Sequence, residues 1–116
     1  MPDIVYSTGP IERENGVDEL RLKALNNSAA TAEVFVTIYN LNGTKEVYYN
    51  DNFTLDPFSS NYVFVDIPEV AQFEVEFTVT NPEVLVAVFA ANAETDTFSA
   101  ANSVRHGEMV NISAGV

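Results

Sequence analysis

The sequence of 116 residues predicts an all-β fold, a two-sheet antiparallel sandwich of about eight strands. Apolar and polar residues alternate with period two in several runs, which is the pattern of strands that bury one face. Turn signals separate these runs at regular intervals, and no window has a sustained helical period. A jelly roll is the simplest such arrangement. An immunoglobulin-like sandwich is the alternative, although its usual Cys and Trp are absent.

The body strands are predicted from these runs in chain order. In "QFEVEFTVT" the residues Phe73, Val75 and Phe77 share one face, while Glu74 and Glu76 share the other. The runs "ELRLKAL" and "AEVFVTIYN" alternate in the same way, and each ends at a turn signal. The predicted strands cover residues 18–26, 32–40, 44–50, 61–67, 71–80, 84–92, 97–101 and 108–113.

Two kinds of punctuation support this division. Asn42-Gly43 is a strong hairpin signal, and it joins residues 32–40 to 44–50 as an antiparallel pair. Three prolines fall between runs, where a missing N–H group costs no ladder hydrogen bond: Pro57, Pro68 and Pro82.

The run "VLVAVFAANA" is apolar on both faces. It is interpreted either as a central strand covered on both sides by its own chain, or as a strand with one face against another subunit. The second face would consist of Leu85, Ala87 and Phe89. Such a face left in water would promote aggregation.

The opening segment "MPDIVYSTGPIERENG" has two interpretations. Residues 3–8 are either the first strand of the body, paired within the chain, or a strand that pairs with a neighbouring copy. In the second case Gly9-Pro10 is a swivel, "IERENG" is a solvated spacer, and the chain divides into an arm (1–15) and a sandwich domain (16–116). Ile4 and Tyr6 then fill pockets in the neighbour, and the arm contacts comprise Ile4, Val5, Tyr6, Thr8, Gly9 and Pro10. A head-to-tail contact of this kind that does not close into a ring produces filaments.

Composition restricts the partners. Seventeen acidic and five basic residues give a net charge of −12, and the basic residues are scattered along the sequence without a patch. We therefore expect neither nucleic acid nor an anionic membrane as a partner. The absence of cysteine excludes disulfides. No apolar stretch is long enough to span a membrane and no secretory leader is recognisable. We therefore expect the protein either to stay inside the cell that makes it or to leave without a cleaved leader, for instance by lysis.

No catalytic, cofactor or metal site is predicted. His106 is the one histidine, no G-x-S-x-G motif or glycine-rich phosphate loop occurs, and Glu74 and Glu76 alternate on a wet strand face. The oxygen-rich stretches "YNDNF" with Asp56, and "AETDT" with Glu94 and Asp96, could hold calcium, but such clusters are typical of turns.

Three stretches carry a family resemblance: "VTIYNLNGT", "FVDIPEVAQFEVEFTVTNPEVLVAVFAAN" and "ANSVRHGEMVNI". Together they resemble the small jelly-roll subunits of endospore appendages of Bacillus-type bacteria. The resemblance implies a homopolymeric fibre on the spore surface, stacked through an N-terminal connector at residues 1–15, with anchor and tip proteins as further partners. It also implies release by mother-cell lysis. The connector here lacks the cysteines of the best-known type, so the resemblance implies a branch joined by non-covalent contacts.

The alternative function is a monomeric carbohydrate- or protein-binding sandwich. Its sugar platform would consist of aromatic side chains that are close in sequence: Tyr48, Tyr49, Phe53, Phe58 and Tyr62.

Overall fold

A computed structural model describes residues 3–68 and 70–112. In this part of the chain two antiparallel sheets pack face to face, which confirms the predicted two-sheet sandwich. The strands are β1 (Ile4–Ser7), β2 (Ile11–Glu12), β3 (Glu19–Asn26), β4 (Ala32–Asn40), β5 (Glu46–Leu55), β6 (Ser60–Asp66), β7 (Gln72–Val79), β8 (Val84–Asn92), β9 (Thr97–Val104) and β10 (Val110–Asn111). A single 3₁₀ turn, His106–Glu108, joins β9 to β10 within this range.

The strand order of the two sheets shows how the chain passes between them. The first sheet has the order β10-β1-β7-β4-β5, with β2 also paired to β7, and the second has the order β6-β3-β8-β9. The consecutive strands β3 and β4 lie in different sheets. Strands β5 and β6 pair with them on one side, and β7 and β8 pair with them on the other.

The core lies where the predicted apolar faces meet. Phe73, Val75 and Phe77 of β7 are fully buried, as are Leu20 and Leu22 of β3. Burial alternates along β3, β4 and β7 with period two, so the predicted facing of these strands is confirmed. Burying each such side chain stabilises the fold by about 1.5–3 kcal/mol, which drives the two sheets together.

Several strand boundaries are wrong: β9 continues to Val104 instead of ending at residue 101, and β10 begins at Val110 instead of residue 108. The largest error concerns β5. Strand β5 does not end near residue 50 but continues to Leu55, because its second half pairs in register with β4 from Phe35↔Asn52 to Ala32↔Leu55. The polar stretch at residues 50–52 suggested a turn, yet an edge strand tolerates polar residues on its wet face. The predicted Asn42-Gly43 turn does connect β4 to β5, with Gly43 at φ +96°.

The opening segment pairs within its own chain in this structure. Strand β1 lies between β7 and β10, in the register Tyr6↔Phe77 and Tyr6↔Asn111. The solvated-spacer interpretation is wrong for the single chain, because Ile11 continues the ladder opposite Phe73 and packs against the core. The division into an arm (1–15) and a domain (16–116) stays a prediction.

No candidate membrane-spanning helix occurs in the described part of the chain.

Candidate interaction sites

The first site is the slot that holds β1, defined here as the gap between β7 and β10. Ile4 and Tyr6 point inward and pack against the core, opposite Val79 and Phe77. The alternation therefore places Ile4 and Tyr6 on one face and Val5 on the other, as the sequence predicted. The pocket that they fill here belongs to their own chain.

Polar contacts fix the end of β1. The Ser7 hydroxyl donates to the Glu74 carboxylate. The Thr8 N–H donates to the carbonyl of Val75 at 3.0 Å, and the Val75 N–H donates back to Thr8 Oγ1 at 3.0 Å. Backbone pairing thus continues to the last residue before Gly9.

The carboxylate of Glu74 connects β1, β7 and the beginning of β5. Lys45 Nζ lies 2.8 Å from Glu74 Oε1 and 3.1 Å from Glu76 Oε2. Burial raises the pKa of Glu74, but the hydrogen bonds from Lys45 and Ser7 outweigh it and hold the pKa below its usual value. The contacts with Glu74 and Glu76 raise the pKa of Lys45. Glu74 is therefore a charged carboxylate that links Ser7 of β1 to Lys45.

The link after β1 has the geometry of a hinge. Gly9 has φ +71°, a conformation that costs other residues free energy, and its N–H donates to Ser7 Oγ at 2.9 Å. Pro10 is exposed. Gly9 and Pro10 therefore lie between Thr8, the last residue that pairs with β7 in the β1 ladder, and Ile11, where β2 begins.

His106 contacts both β8 and the strand in the slot, β1. Its Nδ1 accepts a hydrogen bond of 3.2 Å from the Val86 N–H. Val86 lies beyond the part of β8 that pairs with β9, so His106 takes the place of a strand partner there. Its ring also meets the Tyr6 ring edge-on, with centroids 4.6 Å apart. Burial lowers the pKa of His106. These contacts assign His106 a role in the crossover between the sheets.

The second site is the outer face of the second sheet, hereafter the β8 face. It contains the predicted subunit contacts Leu85, Ala87 and Phe89, which point away from the buried Val84, Val86 and Val88. Leu85 is 41% exposed. Its neighbours include exposed aromatic side chains that the sequence did not assign to the subunit interface: Tyr62, Phe64 and Phe98. No described segment covers this face, although the proposed subunit contact stays a prediction.

Three of the five basic residues gather on the β8 face, so the interpretation that they form no patch is wrong. Arg21 lies between the rings of Phe64 and Phe98, at 4.7 and 4.9 Å from their centroids, and Lys23 lies 5.3 Å from the Phe89 centroid. Arg105 reaches the same face from the end of β9. Alternation along "ELRLKAL" put Arg21 and Lys23 on one face, but the neighbouring strands could not be read from the sequence.

The predicted sugar platform is dispersed. Tyr49 and Phe53 pack against the core from β5, whereas Tyr62 lies on the β8 face beside Phe64, with centroids 5.2 Å apart. The Tyr48 hydroxyl donates to the Asp66 carbonyl at 2.9 Å. The aromatic residues that do share a surface come from β6, β8 and β9.

The candidate calcium ligands are divided in the same way. Asn50, Asp51 and Asn52 are successive residues of β5, so their side chains alternate between the two faces of an edge strand. The Asp51 carboxylate accepts hydrogen bonds from the Tyr49 hydroxyl and the Asn52 N–H. Asp96 pairs with Arg21 at 2.7 Å. In residues 3–68 and 70–112, no group of three or more acidic or histidine side chains converges as a metal site would require.

Comparisons with known proteins support the fold alone. No protein-family model matches the chain, and no curated protein is similar to it in sequence. The crystal structure of protein 1070 of Thermotoga maritima is similar over 84% of this chain and 88% of its own, with 13% identity and a TM-score of 0.59. The Anabaena sensory rhodopsin transducer matches over 82% and 86%, with 14% identity and a TM-score of 0.48.

Proposed function

We propose that this chain is a structural, non-enzymatic subunit that joins copies head to tail by exchanging strand β1, and so forms a fibre. The observation that carries the proposal is the position of β1 in a slot between β7 and β10, next to the hinge at Gly9-Pro10. Every copy has the same slot. A β1 strand from a neighbour can therefore make the same ladder and core contacts, and only the hinge residues differ between the closed and exchanged forms.

The resemblance to endospore appendages supports the same assignment and extends it. On that basis we place the fibre outside the cell on the spore surface, released by mother-cell lysis and completed by anchor and tip proteins. Because the chain has no cysteine, non-covalent contacts alone would hold the exchanged strand: the ladder, Ile4 and Tyr6 against the core, and the polar contacts of Ser7 and Thr8.

A reversible cross-link tests the exchange directly, because the chain has no cysteine of its own. Val5 and Thr78 are Cα partners, and the Val5 carbonyl accepts from Ile112 on the β10 side. Val5 and Thr78 are therefore a non-hydrogen-bonded pair, whose spacing of about 4.5 Å between Cα atoms suits a disulfide. The double variant Val5→Cys/Thr78→Cys locks β1 at home when oxidised and frees it when reduced.

We expect the reduced double variant to form filaments in negative-stain microscopy and the oxidised one to form none. The control is Glu33→Cys/Thr54→Cys, a pair of Cα partners that links β4 to β5 and leaves β1 free. Copies with Val5→Cys alone, mixed with copies with Thr78→Cys alone, should give intermolecular disulfides on non-reducing gels. Filaments from the oxidised lock, or none under either condition, would reject strand exchange.

The second candidate function is a binding module for a carbohydrate or protein, and the aromatic side chains of the β8 face favour it. Retention of the locked monomer on an insoluble polysaccharide, lost on Tyr62→Ala or Phe64→Ala, would support this alternative. Removing residues 1–15 is a less specific test, since it also uncovers Phe73 and Phe77 in the core.

A further inference from the structure

A groove of about 540 Å³ crosses the β8 face between β6, β3 and β8. Its floor is apolar and consists of Leu25, Leu85, Ala87 and Phe89, with Tyr62 along one side. Lys23 and Arg105 also line it. Apolar surface combined with a few charged groups is a usual arrangement of a protein-binding surface.

Lys23 and Arg105 differ from Arg21 and Lys45 because neither forms an ion pair with a described carboxylate. Arg21 is paired with Glu19 and Asp96, Lys45 is paired with Glu74 and Glu76, and Arg13 donates to the carbonyls of Val70 and Val17. Lys23 and Arg105 lie within 4 Å of no carboxylate among residues 3–68 and 70–112. Arg13 also has no carboxylate partner there, but backbone carbonyls satisfy its guanidinium. In a chain of net charge −12, the other two cations without an acidic partner there, Lys23 and Arg105, both line one apolar groove.

Next to the groove the chain carries a group of complementary chemistry. We call the turn Asp56–Pro57–Phe58 the knob. Phe58 is 67% exposed and has φ +54°, a strained conformation for a bulky side chain. Strain of this kind, held in place by the surrounding structure, is typical of contact sites. Asp56 beside it is exposed and negatively charged.

The knob is rigid and borders the groove. The buried Asn26 side chain donates to the Asp56 carbonyl at 3.2 Å, and the Phe58 N–H donates to the Ser28 carbonyl at 3.1 Å. Ser60, two residues after Phe58, already lines the groove. The backbone that carries the aromatic ring and the carboxylate is thus held in place, which lowers the entropic cost of binding.

We infer that two copies of this chain pair about a two-fold axis, with the knob of each copy in the groove of the other. Phe58 covers Leu85 and Phe89 of the second copy, and Asp56 faces its Lys23 and Arg105. An isologous contact requires one surface that carries both the knob and the groove. The two-fold axis then repeats each knob–groove contact, so that every contact occurs twice in the dimer. This contact lies on the second sheet and goes beyond the strand exchange proposed above.

Charge exchange between copies tests the pairing, in the oxidised Val5→Cys/Thr78→Cys background that excludes strand exchange. Sedimentation velocity should show a dimer for the locked parent. Lys23→Glu/Arg105→Glu and Asp56→Arg should each be monomeric, because like charges then meet. An equimolar mixture of these two variants should recover a dimer, since every knob again faces a groove of opposite charge. Glu94→Arg, an equal charge change in an exposed turn, should leave the parent dimer intact.

A second variant separates lost contact from lost folding. Asn tolerates the left-handed conformation of residue 58 better than Phe. Phe58→Asn should therefore keep or raise the melting temperature of the monomer while it abolishes the dimer. A monomeric locked parent, or a mixture of the charge variants that stays monomeric, would overturn the inference. Retention of a monomeric parent on an acidic polysaccharide, lost on Lys23→Glu, would assign the groove to a carbohydrate instead.

Discussion

At the residue scale, single polar side chains organise the turns of this sandwich. Asn26 is fully buried at the end of β3, and its amide donates to the carbonyls of Ala30, Leu55 and Asp56 while its Oδ1 accepts from Ser28. These carbonyls belong to the loop before β4, to the last residue of β5 and to the turn that follows it. One side chain therefore satisfies buried backbone groups that would otherwise be costly to leave unbonded.

Removing that side chain should be expensive. We expect Asn26→Ala to lower the free energy of unfolding by about 1–3 kcal/mol, because several buried carbonyls lose their donor. Asn27→Ala, at the exposed neighbouring position, should change it by less than about 0.5 kcal/mol. Urea denaturation followed by circular dichroism measures both. Equal effects of the two substitutions would contradict the role given to Asn26.

His106 should make the stability of the sandwich depend on pH. Its Nδ1 must be unprotonated to accept the Val86 N–H, and burial lowers its pKa from the ordinary 6.5. Between the folded pKa and 6.5 the unfolded chain binds more protons, so stability rises with pH there and falls on acidification. Melting temperatures between pH 5 and 7 should show this slope, and His106→Asn should reduce it. An unchanged slope in the variant would assign it to other groups.

At the scale of elements, the ends of β1 and β5 are tied to β7 by one charged cluster. Glu74 accepts from Ser7 on one side and pairs with Lys45 on the other. Its side chain is only 13% exposed, so burial of the charged carboxylate costs free energy. Without Lys45, less electrostatic attraction would offset that cost. The cluster holds β1 on β7 at the wet face, while Tyr6 holds it at the core face.

Lys45→Met removes one partner of this cluster. We expect a loss of about 1 kcal/mol at pH 7, discounted because Lys45 is half exposed, and a rise in the pKa of Glu74. Since that pKa is lowered in the folded protein, the stabilisation exists above about 4.5 and disappears as pH falls through the folded value. Chemical denaturation should show a smaller difference from the parent at pH 3 than at pH 7. Lys23→Met, which breaks no ion pair with a described carboxylate, should show no such pH-dependent loss.

At the scale of the whole molecule, the net charge of −12 acts against the compact state. Described carboxylates greatly outnumber the ion pairs that could offset them, and most are exposed. Copies repel one another for the same reason. Any assembly must therefore bring local attraction, from an exchanged strand or from apolar surface, to overcome a general repulsion.

Added salt should stabilise the fold for this reason. From about 10 mM to about 500 mM NaCl the Debye length falls from about 30 Å to about 4 Å, so repulsion between separated carboxylates is screened. We expect the melting temperature to rise by a few degrees, equivalent to about 1 kcal/mol. A variant with four exposed carboxylates neutralised should rise less: Glu33→Gln, Glu46→Gln, Glu83→Gln and Glu94→Gln. A fall with salt would mean that the ion pairs outweigh the repulsion.

The sequence by itself determined the class of fold and the facing of individual strands. Period-two alternation placed Phe73, Val75 and Phe77 inward, and Leu85 and Phe89 outward, because side-chain direction in a strand is a local property. Asn42-Gly43 identified its hairpin for the same reason, since a turn is set by the conformations of its own residues. The end of β5 was misjudged because its polar residues are stabilised by pairing with β4, which is not local.

Only the tertiary structure decided which strands are neighbours and therefore which side chains share a surface. Strand order depends on long-range pairing, and a pattern with one period fits many orders equally well. The gathering of Lys23, Phe89 and Arg105 around one groove, and the knob beside it, could not be read from residues far apart in sequence. The pairing of β1 with β7 of its own chain also could not be predicted from the sequence, because a β1 strand from another copy can form the same ladder.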